Sequence, residues 1–218
     1  KVIKDTYSSK YSDITADLIC SRYVFEHIPE PRNFLMDIRR CMDGTGSVIF
    51  FEVPNLKTIV SGNSLWDIIY EHCSYFSEES LKSVFSYCGF DILDTFEGYD
   101  GQFLAIEAIS SGRIVNSSTF EDEYYRRLKR NTEKFFELAE KQLNSWNNWI
   151  NDINQNSIKT VLWGAGAKGI SFLNMVGIKD DNLKYVVDIN PHKQGKFVSG
   201  TGQEIVSVSF LKDYKPDL

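Results

Sequence analysis

The sequence predicts an α/β chain built from part of a doubly wound sheet, a long linking helix and a second, smaller α/β domain. Three observations carry this. Short apolar runs of strand length alternate with helix-period segments through the N-terminal half. A stretch from Ser118 to about Asn156 then keeps helical spacing with no Gly or Pro inside it. Beyond it, an apolar strand runs straight into a glycine-rich turn at 164–169.

Each element has a local reason. Ala16–Cys20 is a short apolar run after a polar loop, as a buried parallel strand requires. From Pro31 to Met42 the apolar residues fall on one helical face through Phe34, Leu35, Ile38 and Cys41. Gly44-Thr45-Gly46 is expected to stop that helix, Ser47–Val53 to form the next buried strand, and Pro54-Asn55 to end it. Strand, helix, strand makes a right-handed crossover and a parallel pair. Ser77 is the expected N-cap of a helix over Glu78–Tyr87, with Glu79 or Ser80 near the third position and Gly89 closing it. Phe90–Phe96 and Gln102–Ala108 then read as a hairpin-like pair, joined by the glycine-rich, aromatic segment Glu97–Gly101. This order is that of the second half of a doubly wound domain with an antiparallel edge.

The Ser118–Asn156 stretch is expected to be one helix, or two with a break near Asn147-Asn148. Its apolar positions keep no strict heptad, so packing on the chain's own domains is favoured over a coiled coil. The expected division is 1–112, a helical linker over 113–156, and a truncated α/β domain over 157–218. The chain starts without Met and stops after Lys215-Pro-Asp-Leu218, where a further strand is expected, so it reads as an internal piece of a longer protein.

Composition narrows the function. The 218 residues are 42% hydrophobic, enough for real cores, and a net charge of −6 provides no general platform for a phosphate backbone or an anionic membrane. No apolar run reaches the roughly 18 to 20 residues needed to span a bilayer, and no signal peptide is expected, so a soluble, cytoplasmic protein is predicted. Cys20, Cys41, Cys73 and Cys88 show neither CxxC spacing nor a neighbouring His at zinc spacing; they read as reduced thiols, and no metal is expected.

The densest chemistry lies in Asp67–Ser77, which packs Tyr70, Glu71, His72 and Tyr75 into one short run. An adjacent Glu and His is a general-base arrangement, the imidazole taking a proton and the carboxylate orienting it. The plain alternative is a helix end followed by the Ser77 cap. Asn55, Tyr99 and Gln102 lie at strand ends and in a glycine-rich loop, where open α/β sheets bind ligands, and are candidate substrate contacts. Gly164, Gly166 and Gly169 follow a strand and open a helix, and Asp188 ends the next strand 19 residues past Gly169. That is the spacing and context of a dinucleotide fingerprint. The alternative is a glycine turn that merely brings helix onto strand. Lys168 either adds charge there or is solvated, and His192, after Pro191 in a polar loop, is expected to be exposed.

Strand Ala16–Cys20 leads into Ser21-Arg-Tyr-Val-Phe-Glu26-His27-Ile-Pro29, a helix, and a strand ending Glu52-Val-Pro54-Asn55. This resembles the second half of a class I S-adenosylmethionine-dependent methyltransferase, from its fourth strand to its seventh. With Tyr70-Glu71-His72, Tyr75-Phe76-Ser77, Gly98–Gln102 and the glycine-rich C-terminal domain, the chain looks like the sugar C-methyltransferase family, whose members methylate carbon on nucleotide-linked keto-deoxysugars. The resemblance covers most of the chain. It implies S-adenosylmethionine as cofactor, with Ser21, Arg22 and Tyr23 touching it, a nucleotide-sugar as substrate, and a Rossmann-like C-terminal domain that need not bind NAD. The family's N-terminal zinc module and glycine-rich cofactor turn are not in this sequence, so the chain alone is expected to be inactive. One departure is plain: the family places a tyrosine two residues before the Glu-His pair, whereas here Ile69 holds that place and Tyr70 directly precedes Glu71.

Under this reading His72 is the base for an α-proton with Glu71 as orienting partner, Tyr70 supplies a phenol, and His27 stabilises an enolate oxygen or acts as second base. Two alternatives stand beside it: an NAD-dependent oxidoreductase using Gly164–Asp188, and a non-catalytic nucleotide-sugar binding module.

Overall fold

The computed structural model describes residues 2–11, 13–42, 46–111, 122–179 and 183–218. Contacts between Cα atoms divide them into two units, one of 1–62 with 71–131, the other of 63–70 with 132–218.

In the first unit, β1 (Leu18–Arg22) and β2 (Val48–Pro54) run parallel, with α1 (Pro31–Met42) as the crossover. β3 (Phe90–Gly98) and β4 (Phe103–Ser110) form the expected antiparallel pair, and β4 also lies antiparallel to β2, which gives the order β1-β2-β4-β3. Between Ile92 and Asp94 the register shifts, so that Ile92 faces Ala108 and Asp94 faces Glu107. Leu93 bulges out between them and is exposed. The face predicted for α1 is buried through Leu35, Ile38 and Cys41. Gly44 and Thr45, expected to stop this helix, lie outside the described residues.

A short helix, α2 (Leu56–Ser61), follows β2 where only a strand end was expected; Asn55 caps it by accepting the Lys57 amide at 3.1 Å. α3 (Glu78–Tyr87) opens with a capping box in which Ser77 and Ser80 exchange side-chain and backbone bonds. Phe25, Phe51 and Phe85 are fully buried at the centre of this core. Burial of each contributes about 1.5–3 kcal/mol.

α4 (Asp122–Gln155) is continuous, without a break at Asn147-Asn148; its predicted start at Ser118 lies outside the described residues. In the second unit β5 (Val161–Trp163), β6 (Tyr185–Val187) and β7 (Glu204–Val206) are parallel in that order. α5 (Ala167–Val176) connects the first two and ends on Gly177 at φ 73°, a left-handed cap suited to glycine. The Leu218 amide donates to Lys159 and its carbonyl accepts from Val161, which places the last residue parallel to β5. The segment 63–70 belongs to this unit: the Trp66 ring packs edge-on against Phe172 at 5.0 Å, and Lys168 pairs with Asp67 at 2.7 Å. Among the described residues no helix is long and apolar enough to cross a membrane.

Candidate active site

At the carboxyl end of β1 the chain turns through Tyr23, at φ 56°, into a single 3-10 turn over Phe25–His27. Phe25 anchors this turn, its ring stacked on Phe76 at 5.0 Å and edge-on to Phe51 at 5.1 Å. The anchor turns Glu26 inward, where it is 2% exposed, and leaves His27 at the surface.

The loop carrying Glu71 and His72 is pinned to this turn through the backbone. The Glu26 carbonyl accepts the amides of Cys73 at 2.8 Å and Ser74 at 3.1 Å, and the Cys73 thiol donates to the His27 carbonyl at 3.5 Å. His27 Nδ1 lies 3.0 Å from the Glu71 carbonyl oxygen. A carbonyl only accepts, so Nδ1 carries the proton and the lone pair of neutral His27 sits on Nε2. The His72 ring stands edge-on to His27, with centroids 4.8 Å apart, and Tyr75 is 5.6 Å from it on another side.

Glu26 completes the group. One donor atom from each of Glu26, His27 and His72 lies within 4.8 Å of the other two. Glu26 Oε2 is buried with no hydrogen-bond partner among the described residues. Burial pushes the carboxyl pKa up, since the charged form loses water without gaining a bonded cation. The three side chains can share a proton or together hold a cation. Sequence reading missed Glu26; its only local signal was an acid directly before an imidazole, just past a strand end.

The other predicted residues separate into distinct places. Tyr70 is 98% exposed and Glu71 is exposed; Glu71 meets His27 through its carbonyl oxygen. Ser21, Arg22 and Tyr23 follow one another at the end of β1. Arg22 is bonded to Glu52 at 3.0 Å, the Tyr23 ring packs on Phe103 at 4.9 Å, and Ser21 Oγ is buried without a partner among the described residues.

Asn55 is committed inside the protein: Oδ1 caps α2 and Nδ2 donates to the Gly101 carbonyl at 3.0 Å. Tyr99 is 78% exposed in the tight turn Tyr99-Asp100-Gly101, where all three residues have positive φ, and Gln102 is exposed after it. A separate cavity of about 480 Å³ lies in the same unit, walled by Leu56, Val60, Leu104 and Leu128 and rimmed by Lys57 and Arg127; neither histidine lines it.

In the second unit the glycine turn is closed on itself. Gly164 has φ 106°, and a Cβ on Gly169 would stand 2.1 Å from the Gly164 carbonyl oxygen, so this glycine lets helix and turn touch. Asp188, 8% exposed, accepts the Asn190 amide at 2.8 Å on one oxygen and the Ala165 amide at 2.9 Å on the other. These amides, the Asn190 bond foremost, hold its pKa below the usual carboxylate value. Lys193 donates to the Ala165 carbonyl at 2.7 Å and lies 3.5 Å from Asp188. Gly164, Gly166, Gly169 and Asp188 are thus brought together, with both Asp188 oxygens bonded inside the protein.

Two family models match adjoining stretches: a methyltransferase domain over residues 2–95 and a C-methyltransferase C-terminal domain over residues 112–218. Over 210 residues the chain is 24% identical to the C-methyltransferase NovU of Streptomyces niveus, covering 93% of this chain; the chain spans about half the length of that curated relative, 50%. Among solved structures, OxaC is similar at a TM-score of 0.37 and 16% identity over 44% of this chain and 26% of its own. OxaC with sinefungin and meleagrin is similar at the same TM-score and 17% identity, with the same coverage. The two adjoining matches and the relative that spans both place the chain in the class I S-adenosylmethionine-dependent C-methyltransferase family.

Proposed function

We propose that this chain carries the proton-handling half of an enzyme that methylates carbon next to a ketone, on a nucleotide-linked keto-deoxysugar, with S-adenosylmethionine as donor. The observation that carries the reading is the convergence of His27, His72 and buried Glu26 at the carboxyl end of β1, the edge at which open α/β sheets take ligands. Methylation of such a carbon needs loss of an α-proton. His72, half-buried on a loop pinned by two backbone bonds, is the base. His27 keeps an acceptor at Nε2, so it serves as a second proton acceptor beside His72 rather than as a donor to an enolate oxygen. Glu26 is the third proton-carrying group of the cluster.

Ser21, Arg22 and Tyr23 are the residues that would hold the cofactor's edge. The fit rests on the orphaned Ser21 hydroxyl at the strand end, a buried polar group awaiting a partner. When bound there, the cofactor supplies an electrophilic methyl group on sulfur. Tyr99 and Gln102, exposed in the turn before β4, are the substrate contacts that remain available once Asn55 is committed to its internal bonds. The test is full-length protein incubated with methyl-labelled S-adenosylmethionine and a panel of nucleotide keto-sugars. Carbon-linked label in one sugar is the expected result; no label in any sugar, from folded protein, rejects the reading.

A further inference from the structure

We infer that Glu26, His27 and His72 form a binding site for a first-row divalent cation of the zinc class, and that a bound cation shuts off proton transfer at His72. The binding half is independent of the enzymatic role; the inhibitory half rests on the function proposed above.

Burial of the Glu26 carboxylate is the starting point. An ionised carboxylate out of water with an unbonded oxygen is costly, and a cation at that oxygen would compensate it. Two imidazoles converge on the same point, each offering a donor atom within 4.8 Å of the carboxylate and of the other. Two imidazole nitrogens with one carboxylate suit zinc, iron, cobalt and nickel, and leave coordination positions open.

The surroundings also fit. The contact from His27 Nδ1–H to the Glu71 carbonyl, 3.0 Å, is the outer bond that typically fixes the tautomer of a metal-binding histidine and aims Nε2 at the ion. The bonds from Cys73 and Ser74 to the Glu26 carbonyl tie the His72 loop to the turn bearing the other two ligands, so the three donors are held near one another. Ligands about 2.0–2.2 Å from a tetrahedral ion sit roughly 3.3 Å apart. The donors therefore need to close by no more than about 1.5 Å, within reach of rotation of the half-buried His72 ring. A coordinated His72 nitrogen has no lone pair left for a proton. The cation and the α-proton of a substrate thus compete for one atom, and binding weakens as pH falls and the imidazoles protonate.

The test uses the full-length protein as purified, titrated with zinc by calorimetry and with cobalt by visible absorption at about pH 7.5. The expected result is one further equivalent bound, with the intense visible bands of four- or five-coordinate cobalt. Glu26→Gln, His27→Asn and His72→Asn each weaken that equivalent by tenfold or more, whereas His192→Asn leaves it unchanged; circular dichroism identifies which variants remain folded. Uptake equal in wild type and in a folded His27→Asn/His72→Asn double variant overturns the site, as does wild type that binds no further equivalent. Zinc inhibition relieved by a chelator supports the second half. A protein that takes up the cation at these residues but methylates nothing keeps the site and loses the proposed enzyme. One that methylates without taking up the cation keeps the enzyme and loses the site.

Discussion

His27 reaches Glu71 through the main chain: its Nδ1 lies 3.0 Å from the Glu71 carbonyl oxygen, while the Glu71 carboxylate is exposed. The bond sets the His27 tautomer whatever side chain stands at position 71. The acid with a carboxylate oxygen within 4.8 Å of both imidazoles is Glu26, on the turn that also bears His27.

If His72 is the base, His72→Asn in the full-length enzyme cuts turnover by about 10²- to 10⁴-fold, as expected when a general base is lost. Glu71→Gln keeps the carbonyl and costs far less. Solvent-deuterium exchange at the substrate α-carbon, followed by NMR, falls in parallel with turnover in His72→Asn. Near-normal turnover in folded His72→Asn protein moves the base to His27.

Asp188 makes the second unit acid-sensitive. Its pKa is lowered in the folded state, chiefly by the Asn190 amide, so its contribution is fully present above the unfolded carboxylate value and is lost as pH falls through the lower folded one. Chemical denaturation of wild type therefore loses stability across that acid window, while Asp188→Asn starts less stable at neutral pH and shows a shallower loss. Parallel pH profiles for the two proteins contradict this.

Gly169→Ala places a methyl group 2.1 Å from the Gly164 carbonyl oxygen, a backbone atom that cannot rotate away. A loss of at least about 1–3 kcal/mol is expected from such overpacking. A thermal melt read through the second unit's tryptophans measures it, and an unchanged midpoint counts against the close approach.

Asn55→Ala separates structural from substrate roles. The side chain caps α2 and holds Gly101, so its loss lowers stability by about 0.5–2 kcal/mol. The sugar KM stays close to wild type once the protein is folded. A raised KM at unchanged melting temperature would instead assign Asn55 to the substrate.

Elements with a local cause were legible from the residues alone. Pro31–Met42 was bounded by its helical face, the Ser77 cap by its side-chain chemistry, and the β3–β4 pair by two apolar runs around a glycine-bearing turn, because periodicity and capping act within a few residues. His72 and His27 also stood out from the residues alone, one beside an acid in a dense polar run and the other just past a strand end. Their meeting was not legible, because 44 residues of chain lie between them, and it takes packing around Phe25 together with the backbone bonds of Cys73 and Ser74 to Glu26 to close that distance. Glu26 looked like any acid until burial removed its water. The Gly164–Asp188 spacing matched a nucleotide fingerprint, yet only the folded chain determined that both Asp188 oxygens would be taken by Ala165 and Asn190. Local sequence sets backbone preferences and side-chain chemistry; which polar atoms remain available is decided by long-range packing, since a hydrogen-bonding group takes whatever partner the fold delivers to it.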